Sequence, residues 1–211
     1  MEKLNYIVID GLVRSGKTEL AKLLSVELDA KLILDDKQNP YEESFFKALA
    51  KNEKPPALKT QLIYLLNRFS QQVEITQKGL FYKTTVCNYL FYREGIYSHL
   101  LLNDEELDVY KRIYNILSAN IVKPDLVVYL QISFSEMQKR IRNSENSYER
   151  EVPNEYWREL FESYNYYFFN YKTSPLLVIN MEKVDLENPA DIKNIIEEIK
   201  NHRKGTKYYA P

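Results

Sequence analysis

Residues 11–18 read Gly11-Leu12-Val13-Arg14-Ser15-Gly16-Lys17-Thr18, which fits the spacing G-x-x-x-x-G-K-[ST]. A loop of this kind holds phosphate oxygens with inward-pointing backbone amides, and that curvature asks for residues without a Cβ at Gly11 and Gly16. The helix expected from residue 18 turns its positive end toward the same space. Lys17 can then reach β- and γ-phosphates, and the Thr18 hydroxyl can ligate Mg²⁺. Two of the five glycines in the chain fall in this loop. ATP or GTP is the expected ligand, with Ser15 lining the loop and Arg14 adding an unusual cation to it.

A second pair sits further along. Gln61 and Arg68 lie seven residues apart in a stretch of helical periodicity, so they share one face two turns apart. A primary amide donates and accepts at once, which suits the edge of a purine or pyrimidine base.

These groups need elements to position them. Strand-like apolar runs occur at residues 4–10, 31–35, 83–88, 125–131 and 175–180, separated by longer helical stretches. Alternation with connections of that length predicts an α/β fold, a parallel sheet flanked by helices, in one domain over residues 1–211. A long helix is expected over 57–78, with Leu58, Leu62, Leu65, Leu66, Phe69 and Val73 as its buried stripe. Another is expected over 104–122, with Leu107, Val109, Tyr110, Ile113, Ile116 and Leu117 buried. Residues 140–153 are polar and charged, with few apolar anchors, and read as a mobile lid. Residues 200–211 read as a frayed basic tail.

Composition closes off other classes. With 29 Lys+Arg against 30 Asp+Glu, the net charge of -1 gives no bulk attraction to nucleic acid or membrane surfaces. The apolar runs are strand-length, so no membrane span is expected. The lone Cys87 and the opening residues predict a reducing, cytoplasmic setting. No Cys/His cluster suggests zinc.

Several further segments, in order, carry a resemblance: Tyr6-Ile7-Val8-Ile9-Asp10-Gly11 leading into the loop, Asn39-Pro40-Tyr41, Thr60-Gln61-Leu62 with Arg68, Tyr89-Leu90-Phe91, Lys123-Pro124-Asp125, Tyr148-Glu149-Arg150 and Ser174-Pro175-Leu176. Together they resemble the deoxynucleoside kinase family, in its bacterial deoxyadenosine/deoxyguanosine kinase-like branch. The resemblance implies a three-layer P-loop kinase fold with a five-stranded parallel sheet and a lid. It also implies transfer of the ATP γ-phosphoryl to a nucleoside 5′-hydroxyl, and a homodimer. Asp35 or Asp36 would be the general base, and Gln61 and Arg68 would hold the nucleobase. The family's acid at the end of the third strand is Asn88 here, which implies a sugar or Mg²⁺-water contact without the charge. An Arg-x-Arg element is replaced by Ser144-Glu145-Asn146-Ser147, leaving Arg140, Arg142 and Arg150 to serve the phosphates. Two alternatives follow from those departures: a thymidylate kinase-like nucleoside monophosphate kinase, and a nucleotide-binding regulatory protein that has lost transfer.

Overall fold

A computed structural model describes residues 4–35, 37–76 and 83–211. Six strands form one sheet in the order β2-β3-β1-β4-β5-β6, every neighbouring pair parallel. They are β1 Tyr6–Gly11, β2 Lys31–Ile33, β3 Thr85–Cys87, β4 Leu126–Gln131, β5 Leu176–Asn180 and β6 Thr206–Tyr209. Nine helices flank them among the described residues: α1 Lys17–Glu27, α2 Glu42–Ala50, α3 Ala57–Thr76, α4 Glu94–Leu101, α5 Asp104–Ser118, α6 Phe134–Arg142, α7 Ser147–Glu151, α8 Asn154–Phe169 and α9 Pro189–Asn201. A 3₁₀ turn, Phe91–Arg93, leads into α4.

The central strands are continuous apolar runs because both of their faces are covered; every residue of β1 is buried. Their register is set by polar residues at the strand entries. Asp125 accepts from the backbone amides of Asn5 and Tyr6 at 2.6 and 2.9 Å, which fixes β4 beside β1. Asn39 binds the Thr60 carbonyl through Nδ2 at 2.9 Å and seats α2 against α3. Cys87, the last residue of β3, is fully buried.

Five strands were expected, and there are six. The sixth lies in the segment read as a frayed basic tail. Gly205, at φ 66, turns the chain after α9, and its carbonyl accepts from Leu176 at 2.9 Å to start the β5–β6 ladder. Thr206–Tyr209 is almost wholly exposed, since an edge strand needs only its backbone paired on one side. The lid stretch is likewise helical: α6 runs to Arg142, and α7 occupies Ser147–Glu151, docked by a stack of Tyr148 on Phe46 with centroids 5.4 Å apart.

A second apolar cluster joins Phe45, Ala57, Leu65, Phe91, Leu102 and Tyr110, with Leu58, Leu62, Phe69, Leu107, Ile113 and Leu117 packed on it. The helix expected over 104–122 stops at Ser118. Four expected core residues point outward instead: Leu66 and Val73 on α3, Val109 and Ile116 on α5, at 40–70% exposure. Each pair is spaced i, i+7, so each helix carries a second apolar stripe beyond the one it buries.

Because the sheet is parallel, β1, β2 and β3 deliver Gly11, Asp35 and Asn88 to one edge. The chain adds β2 and β3 on one side of β1 and then β4, β5 and β6 on the other, and the point where strand order reverses is where open α/β sheets form their ligand crevice.

Candidate functional site

The loop between β1 and α1 has the conformation its glycines predict. A Cβ at Gly11 would lie 2.6 Å from the Leu130 carbonyl oxygen, and Gly16 caps α1 at φ 95, where a side chain is strained. Arg14 adopts φ 60 without being glycine. Ser15 is buried and its hydroxyl has no partner among the described residues. Lys17 folds back so that Nζ donates to the Gly11 and Leu12 carbonyls at 2.9 and 2.7 Å. Burial, reinforced by the charge of Arg93, lowers its pKa to about 8.

Asp35 follows β2 and is the hub of a charge network. Arg68 grips it with Nε at 3.1 Å and a second guanidinium nitrogen at 2.6 Å, and Arg93 adds a contact at 2.9 Å. Burial pushes the carboxyl up, but Arg68 and then Arg93 outweigh it and hold the group at about 2. Arg93 also binds the fully buried Asp10 at 3.0 Å, while Asp10 accepts the Gly11 and Leu90 amides at 2.6 and 2.7 Å. Arg68 also forms an ion pair with buried Glu94, whose other oxygen accepts Tyr110 Oη at 2.9 Å. Two guanidinium groups therefore face three carboxylates.

Asn88 joins Asp35 to the loop. Its Oδ1 accepts the Asp35 amide at 2.7 Å, and its Nδ2 donates to Thr18 Oγ1 at 3.0 Å. The Asp35 amide fixes which end of the carboxamide faces Thr18.

A cavity of about 310 Å³ is lined by Lys17, Thr18, Asp35, Gln61, Arg68, Asn88 and Arg93, with Phe45, Phe46 and Tyr64 on its apolar side. A larger cleft of about 680 Å³ lies against β4, β5 and α8, but it contains none of the loop residues. The smaller cavity is the candidate because Lys17 and Thr18 of the loop, the Asp35 carboxylate and an aromatic wall open into one space.

The sequence-predicted residues are thus gathered with exceptions. Gln61 lines the cavity, 3% exposed. Arg68 does too, but it is committed to Asp35 and Glu94 rather than free for a base. Arg140 is bound to Glu136 at 2.7 Å and to the Arg14 carbonyl at 3.1 Å, outside the cavity lining. Arg142 and Arg150 are exposed and also outside it. Asp36 lies outside the described residues. Asp10, Arg93, Glu94 and Glu149 were missed. For the first three the sequence signal is charge in or beside an apolar run, as in Asp10 near the end of β1 and Arg93-Glu94 after Tyr89-Leu90-Phe91; Glu149 stands in a polar stretch that gives none.

No group of three or more His, Cys, Asp or Glu residues that could hold a metal occurs among the described residues. A divalent ion here would rest on the Thr18 hydroxyl and the phosphate oxygens of its nucleotide, a donor set that suits Mg²⁺.

A glycine-cradled nest opening a helix, a lysine folded into it and a carboxylate across a shared cavity define a P-loop phosphotransferase. A sequence profile of the deoxynucleoside kinase family matches residues 7–204, and the chain belongs to that family. Deoxyguanosine kinase of Bacillus subtilis is 26% identical over 162 residues, 75% of this chain and 76% of that protein. Deoxyadenosine/deoxycytidine kinase of the same organism is 25% identical over 207 residues, 93% and 92% of the two chains. In fold, the chain is similar to a deoxyadenosine kinase from M. mycoides solved with bound dATP, at a TM-score of 0.75 and 23% identity, covering 93% of this chain and 100% of that one.

Proposed function

We infer that this protein transfers the γ-phosphoryl group of ATP to the 5′-hydroxyl of a deoxynucleoside. The observation that carries this is the single cavity in which Lys17 and Thr18 meet Asp35 and Gln61. The loop amides and Lys17 hold the donor phosphates, and Gln61 reads the base edge. Mg²⁺, when bound, neutralises charge on the β- and γ-phosphates; Thr18 would hold it.

Asp35 accepts the hydrogen bond of the 5′-hydroxyl and orients it for in-line attack. With its pKa near 2 it is ionised but a weak base, which suits a loose transition state where the acceptor proton leaves late. Arg93 and Arg68 keep that carboxylate charged and fixed. Asn88 ties the backbone at Asp35 to the Thr18 hydroxyl, so acceptor and donor groups move as a unit.

A monophosphate acceptor would need spare cations beside it. Of the described cations lining the cavity, Arg68 and Arg93 are neutralised by Asp35, Glu94 and Asp10, leaving Lys17 for the donor. We further propose that the enzyme works as a homodimer joined through α3 and α5, in a reducing cytoplasm. No described helix is long and apolar enough to cross a membrane.

The deciding experiment incubates the protein with radiolabelled ATP, Mg²⁺ and a panel of deoxynucleosides and their monophosphates. Labelled monophosphate is expected. Labelled diphosphate alone, or ATP binding with no product, would replace this reading with the monophosphate kinase or the regulatory protein.

A further inference from the structure

Arg14 occupies the left-handed region at φ 60, a conformation that costs a non-glycine residue free energy. Its guanidinium leaves the loop and forks onto Glu149 of α7, with Nε at 3.0 Å and a terminal nitrogen at 2.8 Å from one carboxylate oxygen. Its own carbonyl accepts from Arg140 of α6 at 3.1 Å. One loop residue therefore ties down both lid helices.

The two partners face different ligands. Glu149 lines the cavity shared with Asp35 and Gln61, whereas Arg14 stems from the phosphate nest and is outside that lining. The Glu149 side chain is 10% exposed and that of Arg14 36%. Glu149 has other supports: Asn146 Nδ2 donates to its second oxygen at 3.2 Å, and Ser144 Oγ lies 3.4 Å from the first. Losing Arg14 would leave this carboxylate held by Asn146 and Ser144, with one oxygen opened to the cavity.

Resting on the kinase reading above, we propose that Arg14 is a positioning residue that couples the donor site to the acceptor site. Without donor, its guanidinium neutralises Glu149. A polyphosphate seated in the loop takes the guanidinium in exchange, and Glu149 becomes free to accept a hydroxyl of the nucleoside. The exchange is favoured because a polyphosphate presents several negative charges and paired oxygens to the planar fork, against the single charge of Glu149. Coupling of this kind is reciprocal, so bound nucleoside must tighten the donor by the same factor.

Calorimetric titration of the full chain with a deoxynucleoside, with and without a non-hydrolysable ATP analogue and Mg²⁺, reads the factor directly. The analogue is expected to tighten nucleoside binding about 5-fold or more. Arg14→Gly relieves the backbone strain, so it folds, and its factor should fall to about 1. Glu149→Gln should lose the factor as well, and the double variant should lose nothing further. Arg14→Lys, which keeps the charge without the fork, should recover part of it. A purely structural role would weaken both ligands and leave the ratio intact. Independent binding of the two ligands to the native chain, or a full ratio in Arg14→Gly, overturns the coupling while the kinase reading stands. Absence of analogue binding by the native chain overturns both.

Discussion

Two ionisable groups in the cavity are shifted in ways that set opposite pH limits. Asp35 is depressed from 3.8 to about 2, so its contribution to stability is complete above its ordinary value and is lost as pH falls through about 2. Lys17 is depressed from 10.5 to about 8, so the folded protein holds its charge at a cost below that pH, relieved as pH rises toward 10.5. The loop therefore loses its lysine cation near pH 8. ATP affinity should weaken between pH 7 and 9, and Lys17→Met should bind weakly with a flat profile; calorimetry across a pH series checks this, and a pH-independent native affinity would sink it. Gly11, Gly16, Lys17 and Thr18 were legible because one contiguous pattern encodes them. The partners of Arg68 were not, since Asp35 and Glu94 reach it from separate strand and helix ends, and no spacing along the chain reports that approach.

At the level of elements, β1, β4 and β5 were readable because two covered faces demand unbroken apolar runs. The edge strand β6 was hidden because Thr206, Lys207 and Tyr208 are exposed and look like any solvated tail. In α7, docking depends on Tyr148 meeting Phe46 of α2, a contact between remote segments. The turn that admits β6 can be tested at Gly205. An added Cβ meets nothing within 4 Å, so Gly205→Ala pays only for its left-handed backbone, about 1 kcal/mol. The melting temperature should fall by about 2–4 °C with transfer activity retained. Unchanged melting would show that β6 contributes little to the sheet.

For the molecule as a whole, helical periodicity located α3 and α5 but could not say which apolar residues lie inside. Both helices have more apolar positions than one buried stripe requires, and Leu66, Val109 and Ile116 remain exposed on neighbouring helices. Pairing of two copies through this face would cover all three. Sedimentation should give a dimer for the native chain and a monomer for a Leu66→Glu, Ile116→Glu double variant; a native monomer at micromolar concentration would refute the assembly.

Cys87, the chain's one thiol, ends β3 beneath the cavity with no exposed surface, and burial pushes its pKa up to about 12. An alkylating reagent can reach it only when the strands part. The rate of iodoacetamide incorporation thus serves as an intrinsic clock for opening of the central layer, readable by mass spectrometry without any introduced label. Ligands that brace the adjoining strands should slow that clock in proportion to their occupancy.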